Sequence, residues 1–221
     1  MTLLSIEALH VKLKSVEVLR GVNLSLRSGE MVGLLGRNGA GKTTTLRAVM
    51  GLVGSSEGRI SCAGLDLLAL PTHRRAGLGI GYMPEDRRLV PQLSVEENVL
   101  LPSWATGVGD VKARLEHVYK LLPEVEAMRR RKPLALSGGQ QKLVALARAL
   151  IVGTRVLLLD EPFEGVAPAL SRRLAEVIGA LRGKDVGVLI AQSDLNHSVK
   201  LLDREYLLER GANASVRSQK P

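Results

Sequence analysis

The first part of the chain alternates apolar and polar positions as half-buried strands do: Leu4-Ser5-Ile6-Glu7-Ala8-Leu9, then Val16-Glu17-Val18-Leu19, then Val22-Asn23-Leu24-Ser25-Leu26. Ser28-Gly29-Glu30 marks a turn, and beyond it the pattern changes. Met31-Val32-Gly33-Leu34-Leu35 is apolar throughout, as a strand buried on both faces of a parallel sheet should be. A glycine-rich loop follows, and Thr44–Met50 reads as a helix stopped by Gly51. Residues from about 86 to 145 differ: prolines stand at 91, 102, 123 and 133, and Val111–Leu122 has helical periodicity. This predicts a helical subdomain inserted into an α/β core. A helix over Gln140–Ile151 places Leu143, Leu146, Ala147 and Leu150 on one face. Buried strands over Arg155–Leu159 and Val186–Ala191 flank an amphipathic helix over Ser171–Leu181. The polar, basic stretch 212–221 is expected to be a disordered tail, leaving one domain over 1–211.

Three segments carry candidate chemistry. Gly36-Arg37-Asn38-Gly39-Ala40-Gly41-Lys42-Thr43 has the P-loop pattern, with a strand before it and a helix after it. Its glycines let successive backbone N–H groups turn inward, and the helix N-terminus adds positive potential at the same place. Lys42 can bridge β- and γ-phosphates, the Thr43 hydroxyl can ligate Mg²⁺, and Thr44 is the candidate for the α-phosphate. Asp160 ends a buried strand, where a carboxylate is costly unless a cation or hydrogen bonds compensate it. Beside a P-loop the natural partner is the Mg²⁺ shell. Glu161 is the candidate general base for the water that attacks the γ-phosphate. The third segment is Leu136-Ser137-Gly138-Gly139-Gln140. Ser137 can donate and accept at a phosphate, Gly138 and Gly139 expose backbone N–H groups, and the helix from Gln140 directs its positive end at them.

In this order and spacing the three segments resemble the nucleotide-binding subunit of an ABC (ATP-binding cassette) ATPase, over roughly residues 3–211. The resemblance implies an α/β fold: a P-loop NTPase core of the ABC ATPase kind, an N-terminal antiparallel β subdomain and an inserted helical subdomain. It implies ATP and Mg²⁺ as cofactors. It also implies that Ser137, Gly138, Gly139 and Gln140 cap the ATP held by a second ABC ATPase subunit, in a hetero- or homodimer. Tyr82-Met83-Pro84-Glu85-Asp86-Arg87-Arg88, Leu93-Ser94-Val95-Glu96-Glu97-Asn98 and Gly165-Val166-Ala167-Pro168 are similar to the LivF-type ATPase of branched-chain amino acid importers, whose relatives also serve urea and short amides. That likeness implies two transmembrane permeases, an extracytoplasmic solute-binding protein, and a peripheral place on the cytoplasmic face of the inner membrane. It makes Glu85 a metal ligand beside Thr43 and Asp160, with a surface salt bridge as the plainer alternative. Four positions depart from the general family pattern. Glu85 stands in place of glutamine, and Ala167 in place of aspartate. Leu13 falls where an aromatic usually stacks on adenine, so Leu13 and Val18 would cover the base by apolar contact alone. Counting back from Asp203, Ser193 occupies the place of the γ-phosphate-sensing histidine, with His197 as a possible stand-in.

Composition narrows the remaining readings. The 221 residues suffice for one compact domain with a substantial core, and the 45% apolar content argues against disorder through most of it. No apolar run approaches the roughly 18 residues of a membrane helix. The opening Met1-Thr2-Leu3-Leu4-Ser5 has no basic stretch before an apolar block, so no secretory signal is expected. Cys62 is the single cysteine and reads as core. The four histidines show no metal-ligand spacing. A net charge of +9 would suit nucleic acid, but aromatics are only 2%, and attraction to ATP and an anionic membrane surface explains the charge as well. A partner of nucleic acid is therefore not expected, although a non-transport ABC ATPase acting on nucleic acid or ribosomes is the alternative class. A weakly hydrolysing regulatory subunit is a third, resting on Ser193. Trp104 suits either docking or local core, and Arg129–Lys132 either a solvated run or a lipid or permease contact.

Overall fold

The computed structural model describes residues 1–55, 57–193 and 201–218. Strands β1 (Thr2–Leu13) and β2 (Val16–Arg27) form an antiparallel hairpin, turned at Lys14 with φ 56°. The two short strands expected over 16–26 are thus one long one. With β4 (Glu57–Cys62) and β5 (Leu65–Asp66) they make a four-stranded antiparallel sheet in the order β2-β1-β4-β5. Alternation decides its inner face: Leu4, Ile6, Leu9, Leu24 and Leu26 are buried.

The second sheet contains β3 (Met31–Leu35), β6 (Ile80–Met83), β7 (Val156–Asp160), β8 (Gly187–Gln192), β9 (Arg204–Glu209) and β10 (Ala212–Ser218), in the order β10-β9-β3-β8-β7-β6. All neighbours are parallel except β10 and β9. Every residue of β3, β7 and β8 is buried, as their uninterrupted apolar runs require. Val32, Leu34, Leu158 and Leu189 pack toward the antiparallel sheet and α1 (Lys42–Met50). Leu35, Leu157, Leu159 and Ile190 pack on the opposite face, toward α6 (Gly138–Val152) and α7 (Pro168–Gly179). A small α2 (Thr72–Arg75) precedes β6. Between β6 and β7 run α3 (Val95–Thr106), α4 (Val111–Leu121), α5 (Pro123–Ala127) and α6. The register Leu35↔Gln192 and Asp160↔Ala191 brings the carboxyl ends of β3, β8 and β7 level, so the loops leaving them converge at one edge.

The expectation of a disordered tail fails over 212–218. After the turn at Arg210-Gly211, this segment pairs with β9 from Ala212↔Glu209 to Ser218↔Arg204. Asn213 Oδ1 also accepts a hydrogen bond from the Asn23 amide at 2.6 Å. An edge strand exposes one row of its residues, so small and polar side chains are tolerated there, and composition alone reads it as a tail. Residues 219–221 lie outside the described ones.

The long helix α6 can lie close on the sheet because Gly81 of β6 has no side chain. A Cβ there would stand 2.1 Å from the Ala149 carbonyl oxygen. The backbone cannot yield locally, so Gly81→Ala should destabilise the fold by at least the roughly 1–3 kcal/mol typical of overpacking. Urea denaturation of the two proteins measures the difference.

Candidate active site

The loop from Gly36 to Gly41 joins a buried strand to α1 and wraps around the helix N-terminus. Gly41 caps that helix with φ 109°, a backbone that favours glycine, and a Cβ on it would meet Leu19 Cδ2 at 2.5 Å, so that side chain would have to shift. Inside the loop the Lys42 ammonium donates to the Gly36 carbonyl at 2.7 Å and the Arg37 carbonyl at 3.4 Å. It also pairs with Glu161 Oε1 at 3.1 Å, with both side chains almost wholly buried. Thr43 Oγ1 donates to Asp160 Oδ1 at 3.0 Å, and Tyr82 OH donates to Asp160 Oδ2 at 3.3 Å. A cleft of about 240 Å³ opens over these groups, lined by Val18, Asn38, Gly39, Gly41, Lys42, Thr43, Thr44, Glu85, Glu161 and Glu164. A larger one, about 580 Å³, lies outside the loop between Gly36–Ala40 and Leu207–Arg210. The smaller cleft is the candidate site, because Lys42, Thr43, Glu85 and Glu161 converge there.

Glu161 is held from several sides. Its backbone is left-handed, φ 46°, which costs a non-glycine residue about 1–2 kcal/mol. Its amide donates to the Ala191 carbonyl at 2.9 Å, and its Oε2 accepts the Ser193 amide at 3.1 Å. Asp160 is fully buried at the strand end. Burial pushes its carboxyl up to about 6, with the Glu85 and Glu161 carboxylates adding to the rise and the Thr43 and Tyr82 hydroxyls opposing it. Burial and the Asp160 carboxylate likewise raise the Tyr82 phenol.

The structure brings most of the expected residues together. Gly36, Arg37, Asn38, Gly39, Ala40, Gly41, Lys42, Thr43 and Thr44 form the loop and helix start, and Asp160 and Glu161 face them. Glu85 is exposed at the cleft and makes no ion pair among the described residues, so the salt-bridge alternative has no partner. Val18 lines the cleft, while Leu13 sits at the hairpin tip, paired with Val16 and 41% exposed. Ser137, Gly138, Gly139 and Gln140 are set apart on the surface at the start of α6. There Ser137 and Gln140 cap each other, Ser137 Oγ accepting the Gln140 amide at 3.2 Å and Gln140 Oε1 the Ser137 amide at 3.0 Å. Ser193 meets Glu161 through its backbone amide rather than its hydroxyl, and His197 lies outside the described residues. Ala167 caps α7 without any side-chain hydrogen bond.

Three residues escaped the sequence reading. Tyr82 reaches Asp160 from the adjacent strand. Gln192, buried just before Ser193, has an Oε1 with no hydrogen-bond partner among the described residues. Lys142 is buried in α6. A lysine in an otherwise apolar helix, two residues past Gln140, was the available signal for the last.

Comparison with known proteins identifies this arrangement. The ABC transporter family profile matches residues 19–164. The chain belongs to the ABC transporter family. The lipopolysaccharide export ATP-binding protein LptB of Acidithiobacillus ferridurans is 38% identical over 211 residues, 95% of this chain and 87% of that protein. The branched-chain amino acid transport ATP-binding protein BraG of Pseudomonas aeruginosa is 34% identical over 209 residues, 95% of this chain and 90% of that one. Among solved structures, an ATP-binding subunit of an ABC transporter superposes with TM-score 0.86 at 28% identity, over 98% of this chain and 90% of that one. The dimeric bacterial cassette MJ0796 superposes with TM-score 0.87 at 25% identity, over 99% of both chains. The cassette is an ATPase, the nucleotide-hydrolysing subunit of a transporter. No helix among its described residues is long and apolar enough to cross a membrane.

The Asp160 shift has a measurable sign. The folded cassette holds this proton more tightly than the unfolded chain, whose carboxyl keeps its ordinary value near 3.8. In metal-free, nucleotide-free protein, stability should therefore fall as pH rises from about 4 through about 6, by up to about 1.4 kcal/mol per pH unit from this group. Asp160→Asn should flatten that stretch of the profile, read by urea denaturation in EDTA.

Proposed function

We propose that ATP binds over the Gly36–Thr44 loop and is hydrolysed there with Glu161 as general base. The observation that carries this reading is the convergence of Lys42, Thr43, Asp160 and Glu161 on one cleft. Backbone N–H groups and the start of α1 receive the phosphates, and Thr44 lies next to them for the α-phosphate. Phosphate oxygens and the Glu161 carboxylate compete for the same Lys42 ammonium. Nucleotide that takes the lysine releases the carboxylate to accept a proton from water. The Ser193 amide keeps one carboxylate oxygen oriented meanwhile. Val18, which lines the cleft, covers the base by apolar contact, and Leu13 at the hairpin tip is the other candidate for it.

Thr43, Asp160 and Glu85 would hold Mg²⁺. No group of three or more His, Cys, Asp or Glu side chains with metal-holding geometry occurs among the described residues. That suits an ion which takes one or two carboxylates and completes its shell with water and substrate phosphates. The raised Asp160 carboxyl fits too, since a buried acid beside two other carboxylates gains from a cation. When bound, the ion would neutralise charge on the phosphate oxygens.

The exposed Ser137–Gln140 segment, too far from the chain's own cleft to line it, supports a head-to-tail dimer in which it caps a partner cassette's ATP. A second surface supports a membrane partner. A groove of about 400 Å³ near Glu85, with Tyr82, Pro84, Leu101, Pro102 and Ala105 in its walls and Arg47, Arg88 and Arg148 around them, is apolar enough to seat a permease segment. Trp104, 54% exposed, stands on the same helix as Leu101 and Ala105. We read the cassette as the LivF-type subunit of an importer of branched-chain amino acids or of related small polar solutes such as urea or amides. Two permeases, a second ATPase and an extracytoplasmic solute-binding protein complete it, with the cassette peripheral on the cytoplasmic membrane face. The likeness to BraG favours this reading. The likeness to LptB favours a second, energising lipopolysaccharide export.

Glu161→Gln should lower ATP turnover by about 100-fold or more while nucleotide still binds, measured by phosphate release and by binding of a fluorescent ATP analogue. Retained turnover would remove Glu161 from the role of base. Purification of the tagged cassette from native membranes separates the two transport readings. Two permeases and a second ATPase are expected; lipopolysaccharide-export components in their place would establish the second reading.

A further inference from the structure

Lys142 lies in the second turn of α6 with only 6% of its surface exposed. A buried ammonium needs compensation, and this one forms no ion pair with a carboxylate among the described residues. Its three protons go to main-chain oxygens of a single loop: the Glu161 carbonyl at 2.9 Å, the Pro162 carbonyl at 3.4 Å, and the Glu164 carbonyl. Burial lowers its pKa, and the nearby Glu164, Glu161 and Glu85 charges oppose that fall. The loop it grips begins at Glu161, in a left-handed conformation that persists only where the surroundings hold it.

The neighbouring loop shows the same device independently. Arg87 and Arg88, just past Glu85, are also left-handed, with φ 62° and 48°. The carbonyls of both accept from the guanidinium of Arg148, six residues after Lys142 on α6. Thus α6 directs two cations at the carbonyls of three left-handed residues, in the two loops that carry Glu85 and Glu161.

We propose that Lys142 is a positioning residue for hydrolysis: its ammonium clamps the left-handed turn at Glu161 and so sets where the carboxylate points. The inference rests on Glu161 being the base. Because α6 begins at Ser137–Gln140, the clamp also joins the segment that would cap a partner's ATP to the base of the chain's own site.

The test compares wild type, Lys142→Met, Lys142→Arg and Glu161→Gln as full-length cassettes, alone or with co-purified partners. Lys142→Met keeps length and apolar packing but removes charge and donors. Its kcat should fall about 100-fold, the loss expected when a catalytic group is displaced by about 1 Å. Its KM and its affinity for a fluorescent ATP analogue should stay within about threefold of wild type, because the phosphate loop is untouched. Hydrogen exchange should speed up in the peptide covering 161–166 and nowhere else. Lys142→Arg, which restores the charge and the donors, should recover most of kcat. Unchanged kcat with unchanged exchange at 161–166 would overturn the proposal. So would loss of nucleotide binding with faster exchange throughout, which would make Lys142 a general stabilising residue. Should Lys142→Met not fold, Lys142→Gln, which keeps one donor, is read against the same outcomes. If Glu161→Gln leaves wild-type turnover intact, the assignment of the base fails, and local exchange still decides whether Lys142 clamps the loop.

Discussion

Everything at the candidate site depends on one buried ion pair, Lys42 Nζ to Glu161 Oε1 at 3.1 Å. Removing either partner from such a pair leaves an uncompensated charge in a poorly hydrated place, at a cost of about 3–5 kcal/mol. The fold places the two charges together through the sheet. β3 delivers the loop that ends in Lys42 and β7 delivers Glu161, with β8 between them holding the ends level. The pair is therefore a consequence of register, and an anion entering the cleft meets a lysine already fixed by the carbonyls of Gly36 and Arg37.

Asp160 and Glu161 are adjacent in sequence, yet their environments differ. Asp160 completes the strand, points toward Thr43 and Tyr82, and burial raises its carboxyl to about 6. Glu161 follows the chain into a left-handed turn, and that turn directs its carboxylate away from Asp160 and onto Lys42 and the Ser193 amide. An extended backbone at 161 would carry its side chain elsewhere along the sheet edge. One unfavourable dihedral thus separates a carboxylate suited to a cation from one suited to a proton.

The features legible in the sequence were those encoded locally. An apolar run before a glycine-rich loop, and another ending in Asp-Glu, are short-range patterns whose burial follows from composition. The parallel strands and the helix at Ser137 were visible for that reason. What escaped depends on distant parts of the chain. β10 is polar and earns its strand conformation from pairing with β9, which no property of residues 212–218 announces. Counting from Asp203 located Ser193, but only the folded arrangement shows that its backbone, available to any residue there, is what touches Glu161. The left-handed conformation of Glu161 had no sequence signal, since glycine is the residue that usually advertises it.

The helix α6 ties these parts together. Its N-terminus presents Ser137–Gln140 at the surface, its last turn rests on β6 where Gly81 admits the Ala149 carbonyl, and its cations hold the loops after β6 and β7. A helix is stiff along its axis, so movement at one end is transmitted rather than absorbed. The loops it holds are the softer elements, since each contains left-handed residues that relax if their carbonyls are released. A ligand that shifts the surface end of α6 would therefore act on the orientation of Glu161 and Glu85 before it disturbed the β3–α1 loop. Differential affinity for two positions of this helix is the energetic requirement for such coupling, because a ligand shifts an equilibrium only by the difference in its affinity for the two states.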